Sequence, residues 1–226
     1  MDIEQSLFLY GQLTTYELEK RLLPLSERRT IPKDTYILEQ GRKSDEVYLI
    51  LSGLVQIGAL SLEGRELNMR LCTPFDIVGA LGLFQNDVHH FYAKALDDVE
   101  VGVIPMEKFQ QEIIADSELA VEIIKWLTLR VKSNKVKYID VLLNGKKGEI
   151  YSTIIRLSQL FGIKTDNGIE IDYPITNQQL ATYAGMSREK TNKLLKTLRE
   201  KGIISINKNK ITIQDIAFLF HEIRDH

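Results

Sequence analysis

The sequence predicts an α+β protein. Three observations carry that prediction: a change from helical to strand periodicity near Thr30, a helical stretch after Pro105 that contains neither Gly nor Pro, and a basic two-helix segment near the C-terminus. At 226 residues the chain has room for one large domain or two modest ones, domains taking roughly 100–200 residues. A content of 44% hydrophobic and 27% charged residues, with 14 Gly and 5 Pro, suits a packed core and excludes a disordered or collagen-like chain. The single cysteine, Cys72, excludes an intramolecular disulfide, a four-cysteine zinc site and an iron–sulfur cluster on four thiolates of one chain. Met1-Asp2-Ile3-Glu4 does not begin a secretory signal, and no segment approaches ~20 uninterrupted apolar residues. The expected setting is a reducing cytoplasm, away from any membrane.

The first thirty residues read as short helices, with Leu7, Leu9, Leu13, Leu18, Leu22 and Leu23 at mixed three- and four-residue spacings. From about Thr30, runs such as Tyr36-Ile37-Leu38, Val47 to Leu51 and Val55 to Ala59 are β-prone and are separated by Gly41 and Gly53. Ser61 to Arg65 is a turn candidate, after which Leu67, Met69 and Leu71 alternate with polar residues, so a hairpin is expected. Val99, Val101 and Val103 give the last strand before Pro105, closing an antiparallel β-roll within residues 1–105.

A single helix is expected over 106–144. Along it Ala120, Ile124, Leu127, Val131, Asn134, Tyr138 and Val141 alternate at spacings of four and three, which is the seam of a coiled coil. One strand of a coiled coil needs another, and an Asn on the seam satisfies its amide best against a matching partner in register. A homodimer contact follows. The alternative is a helix packed against its own β-roll. Asn144-Gly145-Lys146-Lys147-Gly148 then reads as a hinge, which opens a C-terminal domain over 145–226.

In that domain Ile150, Ile154, Ile155, Leu157, Leu160 and Phe161 form a helical stripe ending at Gly162, and Ile169 to Ile171 a short strand. Thr176-Asn177-Gln178-Gln179 has the pattern of a capping box, Gly185 suits a tight turn between helices, and Ser187 caps the next one. The second helix buries Leu194, Leu195 and Leu198 and exposes long polar side chains in its first turns. This is a helix-turn-helix. Thr176 to Lys210 carries eight basic residues against two acidic ones, although the whole chain has 29 Lys and Arg against 31 Asp and Glu. A major groove admits such a helix, whose leading side chains reach base edges: Arg pairs with guanine and Glu accepts from cytosine. Arg188 and Glu189 stand at those positions, with Lys193 one turn on. Lys190, Lys196 and Lys201 suit phosphates, as do the exposed helix N-termini at Thr176 and Ser187. Ile203 to Ile206 and Ile211 to Ile213 flank Asn207 to Lys210, a hairpin whose tip carries Lys208, so the domain is a winged helix-turn-helix. Asp215 caps a last helix that ends near Arg224.

A β-roll, a long helix, a hinge and a winged helix-turn-helix, in that order, resemble the Crp/Fnr family of bacterial transcription regulators over nearly the full chain. Gly79-Ala80-Leu81-Gly82-Leu83-Phe84 is similar to the family's phosphate-binding cassette, and Ser187-Arg188-Glu189-Lys190-Thr191 to the start of its recognition helix. The resemblance implies a cyclic-nucleotide-binding-like sensor domain, base reading by Arg188, Glu189 and Lys193, a two-fold symmetric operator on double-stranded DNA bound by a homodimer, and contact with RNA polymerase. It also implies an effector cavity between roll and long helix, bordered by Gly79, Ala80, Leu81, His89, His90, Trp126, Leu127 and Arg130, with Tyr92 nearby. Core packing accounts equally well for Tyr92, Trp126 and Leu127. Cyclic-nucleotide-binding members place a Glu after the first cassette Gly and an Arg-Ser pair after the following loop. Here Ala80 and His89-His90 stand instead, so no response to cyclic AMP is expected.

No cofactor or metal is expected. Haem ligation through His89, His90 or Cys72 has nothing to fix its geometry, and a lone strand cysteine is ordinarily a small buried hydrophobe rather than a thiol switch. A β-roll metalloenzyme needs several inward histidines or carboxylates, whereas two adjacent strand residues face opposite ways and His221 and His226 lie in the other domain. Catalysis is therefore not expected. The remaining alternative is a dimeric module whose winged helix binds protein.

Overall fold

The computed structural model describes residues 16–224 except Arg65, Asn86, Asp87 and Gly185. The helical reading of Leu7, Leu9 and Leu13 and the turn at Gly185 lie outside the described residues, as do the side chain of Val141 and His226. The described chain forms two compact units that divide between Arg130 and Val131. Among the described residues no helix is long and apolar enough to cross a membrane.

The first unit begins with α1 (Tyr16–Leu22) and a 3-10 turn (Leu23–Leu25). Eight strands follow: β1 (Glu27–Ile31), β2 (Tyr36–Leu38), β3 (Glu46–Ser52), β4 (Val55–Leu60), β5 (Glu66–Cys72), β6 (Ile77–Val78), β7 (Tyr92–Ala95) and β8 (Val99–Pro105). They make two antiparallel sheets, β1-β8-β3-β6 and β2-β7-β4-β5, facing each other as the expected roll. The strand region starts earlier than its periodicity indicates, because the polar run at Glu27 is recruited by β8, with Glu27 opposite Val103 and Arg29 opposite Val101. Tertiary pairing outweighs local preference at this edge strand.

The run Val47 to Ile50 is apolar throughout because β3 is covered on both faces. Tyr48 and Ile50 join Val55, Cys72, Val101 and Val103 between the sheets, while Val47 and Leu49 join Leu18, Leu22, Phe109, Leu119, Ile123 and Trp126 under the helices. The expected alternation on β5 is corrected: Leu67 is 52% exposed and Asn68 only 6%. The register between β4 and β5 shifts at Ile57 and Gly58, leaving Met69 as the extra residue and burying Asn68, whose amide oxygen accepts from Gln56 and from the Tyr92 hydroxyl. His89 and His90 lie just before β7 rather than on a strand, so the expectation that they face opposite sides of one does not hold.

The helix expected over 106–144 is broken. α2 (Met106–Ala115) ends at Asp116, whose extended backbone (φ −116°) starts a new helix, α3 (Ser117–Phe161). The Asp116 carboxylate accepts from Glu118 N at 2.9 Å and Leu119 N at 3.2 Å, the geometry of an N-cap. Within α3 the helical dihedrals fail only at Gly145 (φ 58°, ψ −154°), a left-handed φ that glycine adopts without the Cβ penalty. The break foreseen there is thus present.

After α3 come β9 (Gly162–Thr165), β10 (Gly168–Ile171), α4 (Asn177–Tyr183), α5 (Arg188–Glu200), β11 (Ile204–Asn207), β12 (Lys210–Ile213) and α6 (Ile216–Arg224). The sheet order is β11-β12-β10-β9, antiparallel. β9 has no apolar alternation of its own and is strand only because it closes a hairpin on β10. Ile154, Ile155, Ile171, Leu180, Leu195, Ile211, Leu219 and Phe220 are among the residues buried in the second unit.

Candidate nucleic-acid interface

Thr176 starts α4 with a complete capping box: Gln179 N donates to Thr176 Oγ1 at 3.2 Å, and Thr176 N donates to Gln179 Oε1 at 2.9 Å. The Thr176 hydroxyl also donates to Gln179 Oε1, so it is held within the cap. Ser187 caps α5, accepting from Lys190 N at 3.4 Å. The two helices are tied by Asn177, whose side-chain amide donates to Asn192 Oδ1 at 2.6 Å. Sequence reasoning missed this pair, since two asparagines fifteen positions apart carry no local signal.

α5 is strongly two-sided. Thr191, Leu195 and Leu198 are 0%, 2% and 1% exposed, Leu194 is half-buried, and Arg188, Glu189, Lys190, Lys193 and Lys196 are exposed. The inner side fixes the rotation of the helix, and the outer side then presents its first two turns to solvent. Lys196 lies 3.7 Å from Glu200 one turn on, an exposed pair that leaves its charge accessible. Lys201 ends the helix with Nζ 5.2 Å from the centre of the Phe218 ring, which joins α5 to α6.

The wing turns at Lys208 and Asn209, both with positive φ (46° and 62°), as a two-residue hairpin requires. Lys208 is exposed at the tip. Lys210 pairs with Asp172 and lies 3.8 Å from Glu170, and the Asp172 hydrogen bond raises its pKa. The local cation excess counted from the sequence is therefore smaller at the wing, because acidic residues of β10 and its exit match Lys210.

The residues foreseen around an effector cavity differ in burial and in their partners. Gly79 is left-handed (φ 91°), and a Cβ there would meet Glu46 O at 2.7 Å. Ala80 and Trp126 belong to one core, with Leu127 packed on it, while Leu81 is 65% exposed. Tyr92 is buried against polar residues of its own sheet, its hydroxyl accepting from Gln56 Nε2 at 2.9 Å. His89 is held by backbone hydrogen bonds to Gly41 and Arg42, and His90 stacks edge-on with Phe91. Arg130 lies over the Trp126 ring and pairs with Asp76.

Of the seam on α3, Ile124, Val131 and Tyr138 are 62%, 53% and 65% exposed, Asn134 is exposed, and Ala120 and Leu127 are half-buried. Val121, Ile139 and Leu142, which the heptad pattern did not include, are exposed as well.

Residues 28–116 match the family of cyclic nucleotide-binding domains, and residues 150–221 the Crp-like helix-turn-helix domain. An anaerobic regulatory protein of Bacillus subtilis is 40% identical over 215 residues, covering 94% of this chain and 90% of the relative. A CRP-like cAMP-activated global transcriptional regulator of Mycobacterium tuberculosis is 24% identical over 198 residues, 88% of this chain and 87% of that one. Among solved structures, the c-di-GMP responsive global regulator CLP of Xanthomonas campestris superposes with a TM-score of 0.74 at 24% identity, covering 89% of this chain and all of that one, a likeness of fold. Together with the winged helix-turn-helix and the roll that precedes it, these matches establish that the chain belongs to the Crp/Fnr family of transcription regulators.

Proposed function

We propose that two copies of the chain pair along α3 and bind a two-fold symmetric operator, each inserting α5 into a major groove. The observation that carries this reading is the division of α5: its buried Thr191, Leu195 and Leu198 leave Arg188, Glu189 and Lys193 as the outward leading side chains. Arg188 and Glu189 read bases and Lys193 a base or phosphate. Lys190, Lys196, Lys201 and Lys208 neutralise phosphates, with Thr176 and Ser187 at the helix entrances. Successive grooves about 34–36 Å apart fix the spacing of the half-sites. The functional division is a sensor roll over 1–105, a pairing segment over 106–144 and a DNA-binding domain over 145–226, with RNA polymerase as the further partner.

Cyclic AMP does not control this activity. Ala80, 3% exposed, offers no acceptor to a ribose hydroxyl. Desolvation holds the His89 imidazole below its ordinary pKa despite the opposing pull of Asp45, so it is uncharged at neutral pH and makes no charge-assisted bond to a phosphate. Selection of bound fragments from genomic DNA, followed by footprinting with and without cyclic AMP, tests the reading. Protected half-sites related by a dyad, unchanged by the nucleotide, are expected. Absence of any footprint from folded protein at low ionic strength would overturn it.

A further inference from the structure

The two helices of the helix-turn-helix meet at a pair of side-chain amides. Asn177 opens α4 directly after the capping box at Thr176, and its Nδ2 donates to Oδ1 of Asn192 on α5 at 2.6 Å. Asn192 follows Arg188 by four residues and Glu189 by three, so it shares their outward face, and it is exposed as they are. Thr191 before it and Leu195 after it are buried, which fixes the rotation of α5, while the capping box fixes the start of α4. A carboxamide has two ends of opposite chemistry: its oxygen accepts, its NH2 donates, and on an exposed asparagine either can turn toward a partner. Here Oδ1 is committed to Asn177, which leaves the two N–H groups of Asn192 Nδ2 for a group outside the chain.

We propose that Asn177, although on the neighbouring helix, is a positioning residue for base recognition: it holds the Asn192 amide so that only donors face the base edge. The inference rests on the proposed insertion of α5 into a major groove. In that groove guanine shows two acceptors, thymine an acceptor beside a methyl group, adenine an acceptor beside a donor, and cytosine a donor alone. An unconstrained Asn pairs best with adenine, its oxygen taking the N6 hydrogen while its nitrogen gives to N7. With its oxygen drawn toward Asn177, Asn192 loses that bidentate match and favours a guanine or thymine edge. A cytosine amino group would face it N–H against N–H. Asn177 thereby sets a preference at one base pair, beside those read by Arg188 and Glu189, without itself touching a base. Both side chains are neutral, so the contribution is to selectivity and leaves the salt dependence of binding unchanged.

The test is selection by the full-length protein from a pool of randomised duplexes, with the bound sequences read out. Beside the positions lost in Arg188→Ala and Glu189→Ala, the unmodified protein is expected to show one position that favours guanine or thymine about tenfold over cytosine. Asn192→Ala and Asn177→Ala should each flatten that position and leave the others in place, and the double variant should add nothing to either single one. Asn177→Asp separates positioning from mere support. Its carboxylate accepts where the amide donated, so it turns the Asn192 amide over, puts Oδ1 outward and should move the preference to cytosine or adenine, whose amino groups donate. The added negative charge weakens binding to every sequence alike, whereas an acidic residue in the first turn suits α4, so the variant keeps its fold. The inference is overturned if sequences are selected and Asn177→Ala leaves every preference unchanged or blurs all positions equally, or if Asn177→Asp keeps the preference for guanine or thymine. Selection of no sequence at all by the folded, unmodified protein would instead remove the groove insertion itself, and the inference with it.

Discussion

Arg188 and Glu189 are exposed at the start of α5 with only the helix entrance around them, whereas Lys201 is engaged with the Phe218 ring at its end. Their losses should differ accordingly. Arg188→Ala or Glu189→Ala is expected to cost about 1–3 kcal/mol of operator affinity and to relax preference at one base pair, read by anisotropy against single-base operator variants. Lys201→Ala should weaken every sequence alike and flatten the salt dependence by about one phosphate. Uniform losses from all three would contradict the roles assigned. Cys72 shows the opposite situation, a group the fold makes inert. It is fully buried, and desolvation raises its thiol to about 12, with Arg70 lowering it only in part. Native protein at pH 8 should therefore resist iodoacetamide, and denatured protein should not, as mass spectrometry of the two samples will read.

At the scale of elements, the sequence was legible where a local rule decided the structure. The capping box at Thr176, the cap at Ser187, the two-residue wing tip and the break at Gly145 each follow from residue chemistry within four positions. What was not legible depends on pairing with other strands: β1 is a strand because of β8, β9 because of β10, and Asn68 is buried because the register between β4 and β5 shifts beside it, leaving Met69 as the extra residue. The break at Asp116 is an intermediate case. Asp116-Ser117-Glu118 carries a cap signal, but the apolar spacing running across it favoured one helix. Its carboxylate is also paired with Arg21. The amides of Leu119 and Glu118, more than Arg21, hold the Asp116 pKa below its ordinary value. A depressed carboxylate stabilises the folded state fully above its unfolded pKa, about 3.9, and loses that contribution as pH falls through the lower folded value. Asp116→Asn should thus lower the Tm at pH 7, and the difference from the unmodified protein should vanish in acid, as paired thermal melts between pH 7 and pH 2 will report.

For the whole molecule, the proposed pairing along α3 is the step on which the proposed operator binding would depend. One recognition helix reads one half-site, and holding two together converts the second binding event into an intramolecular one. Ile124, Val131 and Tyr138 recur at coiled-coil spacing yet stand more than half exposed in the single chain, so they contribute little to the stability of one copy. Charges placed there should separate association from folding. The double substitution Ile124→Asp, Val131→Asp is expected to give a monomer by light scattering at micromolar concentration, with a thermal transition close to that of an unmodified chain diluted to the monomer. Its affinity for an isolated half-site should be preserved, while affinity for the full operator falls by 10²-fold or more. A dimer that survives both charges, or a full-site affinity that survives loss of the dimer, would place the pairing surface elsewhere on the molecule.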